Sequence, residues 1–261
     1  MSHFWSKSFV IAIGMASIAL CQAASAATIY YYDDFSGSNG TDLNGTAPDT
    51  RPSTETWLGG TGAEAWQADG SVTPGAVAQG TAWLPFVPSP GQVYELSLAM
   101  SVGANVNGDW FALGFAGNGG VSTDFISADP FAWGLKRGTS GGDANEVYSV
   151  PDPSTTGIAL EGVYAGTTLM SIVLDTNPAL WTAEWFVDGL SVRGPEAFAV
   201  NPAITHVGFG RYTENVGGSV DNFQLTVVPE PASIYAMVMG LFALAFANSR
   251  SRARKLAWQR K

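Results

Sequence analysis

The side chains that carry out nucleophilic catalysis are scarce in this chain of 261 residues. It has one cysteine, Cys21, and two histidines. One histidine lies in the N-terminal segment, and the other is His206. Its neighbours Thr205 and Val207 predict that His206 lies within a β-strand. A solvent-facing or hydrogen-bonded imidazole is the usual case there. Because a serine or cysteine nucleophile needs a base beside it, this composition argues against hydrolysis of that kind.

One short segment matches a serine hydrolase pattern. Residues 138–142 read Gly-Thr-Ser-Gly-Gly, which fits G-x-S-x-G. That motif works at a sharp turn from a strand into a helix. Here strand-like sequence precedes it (FAWGLKR) and follows it (NEVYSV), so the segment is predicted to be a hairpin loop.

Paired carboxyl groups are the other catalytic possibility. Glycoside hydrolysis needs two of them about 5–9.5 Å apart. Glu184 and Asp188 share a strand face, but four residues of extended chain separate them by ~13 Å. Carboxyl groups can still meet across strands, so a divergent glycoside hydrolase stays open as an alternative to a non-catalytic protein.

Aromatic side chains suggest binding. An exposed indole can stack on a sugar ring, whereas a buried one fills a core. Trp110 alternates in phase with Ala112 and Gly114, which predicts that it faces away from the core. Trp57 and Trp83 lie beside turns rich in Gly and Pro, which favours exposure. All three are candidate ligand-binding residues, with core packing as the alternative for each.

The charge of the chain is strongly partitioned. The segment from Thr28 to Val228 contains five basic and 21 acidic residues, which gives it a net charge of −16. Phosphates need Lys and Arg to neutralise them, so this segment is not expected to bind nucleic acid. An acidic body is compatible with calcium and with neutral sugars.

The segment 27–228 is predicted to be one all-β domain. In VYELSLAMSV (93–102) apolar and polar residues alternate, as in a half-buried strand. Asp188-Gly189 between two short apolar runs indicates a type I′ hairpin. Roughly twelve such strands, with no amphipathic helix among them, predict a β-sandwich or jelly roll.

The N-terminus has the order of a secretory signal peptide. Lys7 precedes an apolar stretch, and Ala24-Ser25-Ala26 offers a cleavage site for residues 1–26. A buried helix is the alternative. A lipoprotein would be cut before Cys21, but Leu20 stands where such signals have Gly or Ala. The mature chain would therefore contain no cysteine.

The C-terminus, 229–261, is predicted to be a sorting tail. An apolar run at 232–247 could form a transmembrane helix, and the basic end at 250–261 would then stay in the cytoplasm while the body is exported. A surface amphipathic helix is disfavoured because the run has no polar face. The motif residues are Pro229, Glu230, Pro231, Arg250, Arg252 and Arg254.

This tail resembles the PEP-CTERM sorting signal of Gram-negative bacteria that make extracellular polysaccharide. The resemblance covers about 30 residues and implies an exosortase-type processing enzyme as partner. It also implies a precursor anchored in the inner membrane, and then a place at the cell surface or in the extracellular matrix.

The body resembles the concanavalin A-like, laminin-G-like jelly rolls of bacterial surface proteins. The similarity lies in the order of YYDDFSGSNG, GDWFALGFAG and SVDNFQLTV. It implies that the first and last strands are neighbours, with a structural Ca²⁺ held there by Asp34 and Asp221, together with Asp33 and Asn222. Solvated acidic side chains are the alternative. The Glu-x-Asp-x-x-Glu pattern of glucanases with this fold is absent.

These patterns predict an exported, surface-sorted, non-catalytic sandwich that binds carbohydrate or matrix polysaccharide. A purely structural matrix or adhesion protein without a ligand site is the alternative, beside the divergent hydrolase.

Overall fold

The computed structural model describes residues 27–36, 41–59, 66–68, 70–74, 80–103, 110–119, 125–151, 157–212 and 217–228. Residues from Thr28 to Val228 belong to one compact unit. The predicted signal peptide and sorting tail lie outside the described residues and stay predictions. Over the described ranges, no helix has the length and apolar character needed to span a bilayer.

The described residues form sixteen strands and one 3-10 turn. In chain order the strands are β1 (Thr28–Asp33), β2 (Thr41–Asp42), β3 (Leu58–Gly59), β4 (Trp66–Ala68), β5 (Val72–Pro74), β6 (Gly80–Pro85), β7 (Val93–Val102), β8 (Trp110–Ala116), β9 (Pro130–Arg137), β10 (Glu146–Val150), β11 (Ala159–Val163), β12 (Thr168–Asp175), β13 (Thr182–Val187), β14 (Leu190–Ala197), β15 (His206–Tyr212) and β16 (Gly218–Val228). The 3-10 turn (Ile126–Ala128) precedes β9.

The strands make two antiparallel sheets. The nine-stranded sheet has the order β14-β13-β12-β7-β16-β5-β4-β2, with β1 also paired to β16. The seven-stranded sheet has the order β11-β10-β9-β8-β15-β6-β3. The prediction that the first and last strands are neighbours is confirmed, because Thr28 pairs with Val227 and Asp33 with Phe223.

Local sequence explains the regular elements. Along β7 every second side chain is buried, as its alternation predicted. Asp188 and Gly189 both have positive φ angles, 51° and 79°, so the predicted hairpin between β13 and β14 is confirmed. The Gly-Thr-Ser-Gly-Gly segment lies in the loop joining the antiparallel strands β9 and β10, and not at a strand-to-helix elbow.

The predicted strand number, about twelve, was too low. The additional pieces are short: β2 and β3 have two residues each, and β4 and β5 have three. Strands of that length are too short to display an alternation of apolar and polar residues.

The main core fills the space between the sheets. Its centre is a group of aromatic rings in edge-to-face contact, with Trp57 against Phe209 and Phe223, and Trp66 against Phe111 and Phe209. Such contacts add to the free energy gained from burying the rings. A second apolar cluster covers the opposite, outer face of the seven-stranded sheet.

Candidate functional site

The outer face of the seven-stranded sheet has an unusually flat floor. In β8 and β15 the side chains that face the main core are large, for example Phe111, Leu113 and Phe209. The positions between them carry almost no side chain. These floor residues are Ala112, Gly114, Gly208 and Gly210.

Three tryptophans from β6, β8 and β9 stand around this floor. A Cβ atom on Gly208 would lie 2.8 Å from Cε3 of Trp83, and one on Gly114 would lie 2.5 Å from Cβ of Trp133. The rings of Trp110 and Trp133 are 5.8 Å apart. We call the space bounded by Trp83, Trp110, Trp133 and the floor residues the tryptophan slot.

Phe125 fills the tryptophan slot. Its ring stacks on Trp83 at 5.0 Å with an interplanar angle of 26°, and lies 5.5 Å from Trp133 and 6.4 Å from Trp110. A Cβ atom on Gly210 would be 2.9 Å from Cδ2 of Phe125, so the phenyl ring rests directly on the sheet. The slot is therefore closed by the chain itself.

Residues 125–129, which we call the cap, carry Phe125. The 3-10 turn is followed by Asp129 in the left-handed region, which ends the turn. Backbone N–H groups of Gly117 and Asn118 donate to the carbonyls of Asp129 and Ala128, both at 3.0 Å. The cap is thus tied to the end of β8.

His206 lies beside the same strand end. The N–H of Gly119 donates to its Nδ1 at 3.0 Å, which requires this nitrogen to be unprotonated. Burial lowers the pKa of His206. The imidazole therefore acts as a neutral acceptor for a loop, in line with the hydrogen-bonded strand histidine expected from the sequence.

Contrary to the prediction of exposure, the three candidate tryptophans are buried. Trp57 and Trp83 are 0% exposed and Trp110 is 6% exposed. Trp110 does face away from the main core, but the cap covers it; Trp83 lies within β6, and Trp57 lies between the sheets. A ligand-binding role for them stays a prediction, and it would require neighbouring residues to move.

One indole nitrogen in the slot has no partner. Nε1 of Trp83 is buried and has no hydrogen-bond acceptor within the part of the chain that the structure describes. A buried donor without an acceptor is destabilising, because it loses its hydrogen bond to water on folding.

A second site lies at the end of β1. Asp33, Asp34 and Asp49 can each direct a carboxylate oxygen to within 4.8 Å of the others. Backbone N–H groups hold them: Phe35 donates to Asp33 at 2.8 Å, and Asp34 donates to Asp49 at 3.1 Å. Three carboxylates at this spacing offer the hard oxygen ligands that Ca²⁺ prefers.

The carboxylates of this acidic cluster differ in environment. Burial raises the pKa of Asp33 to about 6, although hydrogen bonds from Trp57 and Phe35 oppose the shift. Hydrogen bonds from Ser36 lower the pKa of Asp34. At neutral pH the cluster therefore holds concentrated negative charge, and part of it is shielded from water.

Of the candidate calcium ligands, the acidic cluster brings together Asp33 and Asp34, with Asp49 beside them, and it does not include Asp221. Asp221 accepts a hydrogen bond from the N–H of Asn222 at 2.7 Å, and Tyr32 Oη lies 3.4 Å from Oδ1 of Asn222. Asp49 comes into the cluster because its neighbour Thr50 bridges to Tyr32. No strand-like sequence surrounds Asp49, so the alternation pattern could not find it.

The acidic residues weighed for catalysis make local hydrogen bonds. Glu184 accepts one from Ser191 Oγ at 2.6 Å, and Asp188 accepts one from the N–H of Leu169 at 2.9 Å. The first bond joins β13 to β14, and the second joins the turn between β13 and β14 to β12.

Comparison with known proteins defines the fold. No family model and no curated protein matches the chain. An endo-1,3-beta-glucanase from Streptomyces sioyaensis superposes with a TM-score of 0.52 at 12% identity, over 79% of this chain and 98% of that one. This chain has a concanavalin A-like, lectin-like fold.

Two carbohydrate recognition domains are similar to a lesser degree. That of Emp47p gives a TM-score of 0.49 at 11% identity, covering 76% of this chain and 97% of its own. The potassium-bound form of the Emp46p domain gives a TM-score of 0.49 at 11% identity, covering 73% of this chain and 96% of its own. The predicted all-β sandwich is confirmed by the two sheets and by the glucanase superposition, which at such identity speaks for the fold alone.

Proposed function

We propose that this chain is a non-catalytic carbohydrate-binding protein and that its ligand binds at the tryptophan slot. The observation that carries the proposal is the arrangement of Trp83, Trp110 and Trp133 around a floor of glycine and alanine. Indole rings stack on the apolar C–H face of a sugar ring, and a glycine floor lets that ring approach the sheet closely.

The net charge of the body favours one class of glycan as the proposed ligand. With a net charge of −16 between Thr28 and Val228, the surface repels uronic acids, sulfated sugars and other polyanions. A neutral polysaccharide is therefore the proposed ligand. The name of the similar glucanase suggests soluble β-1,3-glucan as the first probe.

Binding of the full chain to a panel of neutral and anionic polysaccharides tests this function. We expect retention on neutral glycans and none on the anionic ones. If no glycan retains the chain, the proposal fails, and a purely structural matrix protein becomes the better description. Release of reducing sugar from a retained glycan would instead favour a hydrolase.

We further propose that the acidic cluster binds Ca²⁺. Asp33, Asp34 and Asp49 would supply carboxylate oxygens, and backbone carbonyls or water would complete the coordination. A cation there would relieve the repulsion between the three carboxylates and join the end of β1 to the loop that carries Asp49. The ion would act as a structural staple in a domain without cysteine.

We also propose export and sorting to the cell surface through the two ends of the chain. An exosortase-type enzyme would recognise Pro229, Glu230 and Pro231 after residues 232–247 enter the inner membrane. Cell fractionation tests this step. Replacing Pro229-Glu230-Pro231 by alanines should leave the protein in the inner membrane, whereas an unchanged surface location would contradict the proposal.

A further inference from the structure

We propose that Phe125 is an internal occupant of the ligand site, and that a pyranose ring of a bound glycan displaces it from the tryptophan slot. This inference rests on the proposed carbohydrate binding and adds how the site is regulated. The free protein would then be self-inhibited, and its affinity would depend on how firmly the cap holds Phe125.

The position of Phe125 is the one that a sugar ring would take. Its ring is nearly parallel to Trp83, 26° apart at 5.0 Å, which is the stacking geometry an indole offers to a flat ligand ring. Trp133 and Trp110 meet it at steeper angles, 51° and 89°, and enclose its sides. A pyranose ring has a six-membered frame like that of a phenyl ring, and it can offer its apolar C–H face to the same indole.

The floor of the slot shows that it is not an ordinary second core. In the main core β8 and β15 interlock with the opposite sheet through large side chains. On the outer face the middle of the same two strands presents Ala112, Gly114, Gly208 and Gly210, and the ring that rests on them is Phe125 of the cap. When Phe125 leaves, a flat surface bounded by indoles remains, which suits a ring-shaped ligand.

The unpartnered Nε1–H of Trp83 points to the chemistry of the missing ligand. Phe125 stacks on this indole but offers no acceptor, and the part of the chain that the structure describes supplies none. A hydroxyl at the rim of a bound sugar ring, lying near the plane of the indole, would accept this hydrogen bond. The exchange would replace one stacked ring by another and satisfy a buried donor.

The cap can leave without breaking the sheets. It lies between the end of β8 and the start of β9, and no ladder pairing of either sheet involves residues 125–129. Its backbone bonds to Gly117 and Asn118 are turn contacts. Displacement of Phe125 is therefore a local event. The apparent affinity equals the intrinsic affinity multiplied by the fraction of molecules in which the slot is open.

Calorimetric titration of the full chain with a β-1,3-glucan oligosaccharide tests this inference. The variant Phe125→Ala should bind more tightly than the wild type, on the order of tenfold, because the competing ring is gone. Phe198→Ala removes a phenyl ring of the main core and should leave the affinity unchanged. Unchanged or weaker binding by Phe125→Ala, with a binding wild type, would overturn the inference and leave the proposed function intact.

Hydrogen exchange of the wild type gives a second test that does not depend on the variant folding. Adding the oligosaccharide should speed exchange at the N–H groups of Gly117 and Asn118, which donate to the carbonyls of Asp129 and Ala128 in the cap. Slower or unchanged exchange there, in a sample that binds, would overturn the displacement. If neither wild type nor variant binds the oligosaccharide, the proposed function fails first and the inference fails with it.

Discussion

The indole nitrogen of Trp57 donates a hydrogen bond to Oδ2 of Asp33 at 2.6 Å, inside the sandwich. Asp33 Oδ1 accepts a second bond from the N–H of Phe35. Trp57 in turn packs edge-to-face on Phe209 and Phe223. The aromatic centre of the core therefore positions one carboxylate of the acidic cluster.

The change Trp57→Phe tests this link. It keeps most of the ring but removes the donor, so the buried carboxylate loses a bond worth about 1–3 kcal/mol. Urea unfolding at pH 7 should show that the free energy of unfolding falls by that amount. Trp66→Phe is the matched control, since Nε1 of Trp66 has no acceptor among the described residues. Equal losses in both variants would contradict the role given to the bond.

The raised pKa of Asp33 predicts a dependence of stability on pH. Burial raises this pKa from 3.8 to about 6, so the folded state binds the proton more tightly than the unfolded state. The stabilisation is fully present below pH 3.8 and is lost as pH rises through 6. Relative to Asp33→Asn, the wild type should become less stable from pH 4 to pH 7. A parallel pH profile for the two proteins would show that Asp33 titrates normally.

Calcium should stabilise the folded chain at pH 7.5. Binding only the native state raises the melting temperature by mass action, and EDTA should reverse the effect. Asp49→Asn should abolish the response, whereas Asp221→Asn should keep it, because Asp49 and not Asp221 completes the acidic cluster. The rise in melting temperature caused by calcium should be smaller at pH 5, where Asp33 is largely protonated. An unchanged melting temperature on adding calcium and then EDTA would exclude the site.

Lys136 should make the protein more stable at alkaline pH. It is 0% exposed, its Nζ donates to Gly166 O and Thr168 Oγ1, and burial lowers its pKa to about 8 against the attraction of Asp188. The buried charge costs most below pH 8, and the cost fades as the folded state releases the proton before the unfolded state does. Between pH 7 and pH 10 the wild type should gain on the order of 1 kcal/mol relative to Lys136→Met. A constant difference between the two proteins would contradict this.

The sequence was informative where a feature is local. The alternation of β7, the Asp188-Gly189 turn and the hairpin loop at residues 138–142 each depend on a few neighbouring residues, and the structure agrees. The fold class followed from the number of such features. The contact of β1 with β16 was implied by resemblance and not by any local pattern.

The exposure of the tryptophans could not be read from the sequence. Alternation correctly placed Trp110 on the face away from the main core, but it cannot tell whether the loop that follows the strand folds back over that face. The cover is Phe125, which no strand pattern marks. Asp49 was missed for the same reason, since a single bridge between Tyr32 and Thr50 brings it to Asp34. Both sites depend on loop placement, which is a tertiary property.

Glycan affinity of a matched pair of tryptophan variants tests the central claim most directly. Trp83 and Trp66 both have a buried Nε1 without an acceptor in the described residues, but Trp83 borders the slot and Trp66 lies in the main core. In titrations of the full chain with β-1,3-glucan oligosaccharide, Trp83→Phe should weaken binding by about tenfold, or 1.4 kcal/mol, and Trp66→Phe should leave it unchanged. Equal affinities for wild type, Trp83→Phe and Trp66→Phe would contradict binding at the tryptophan slot.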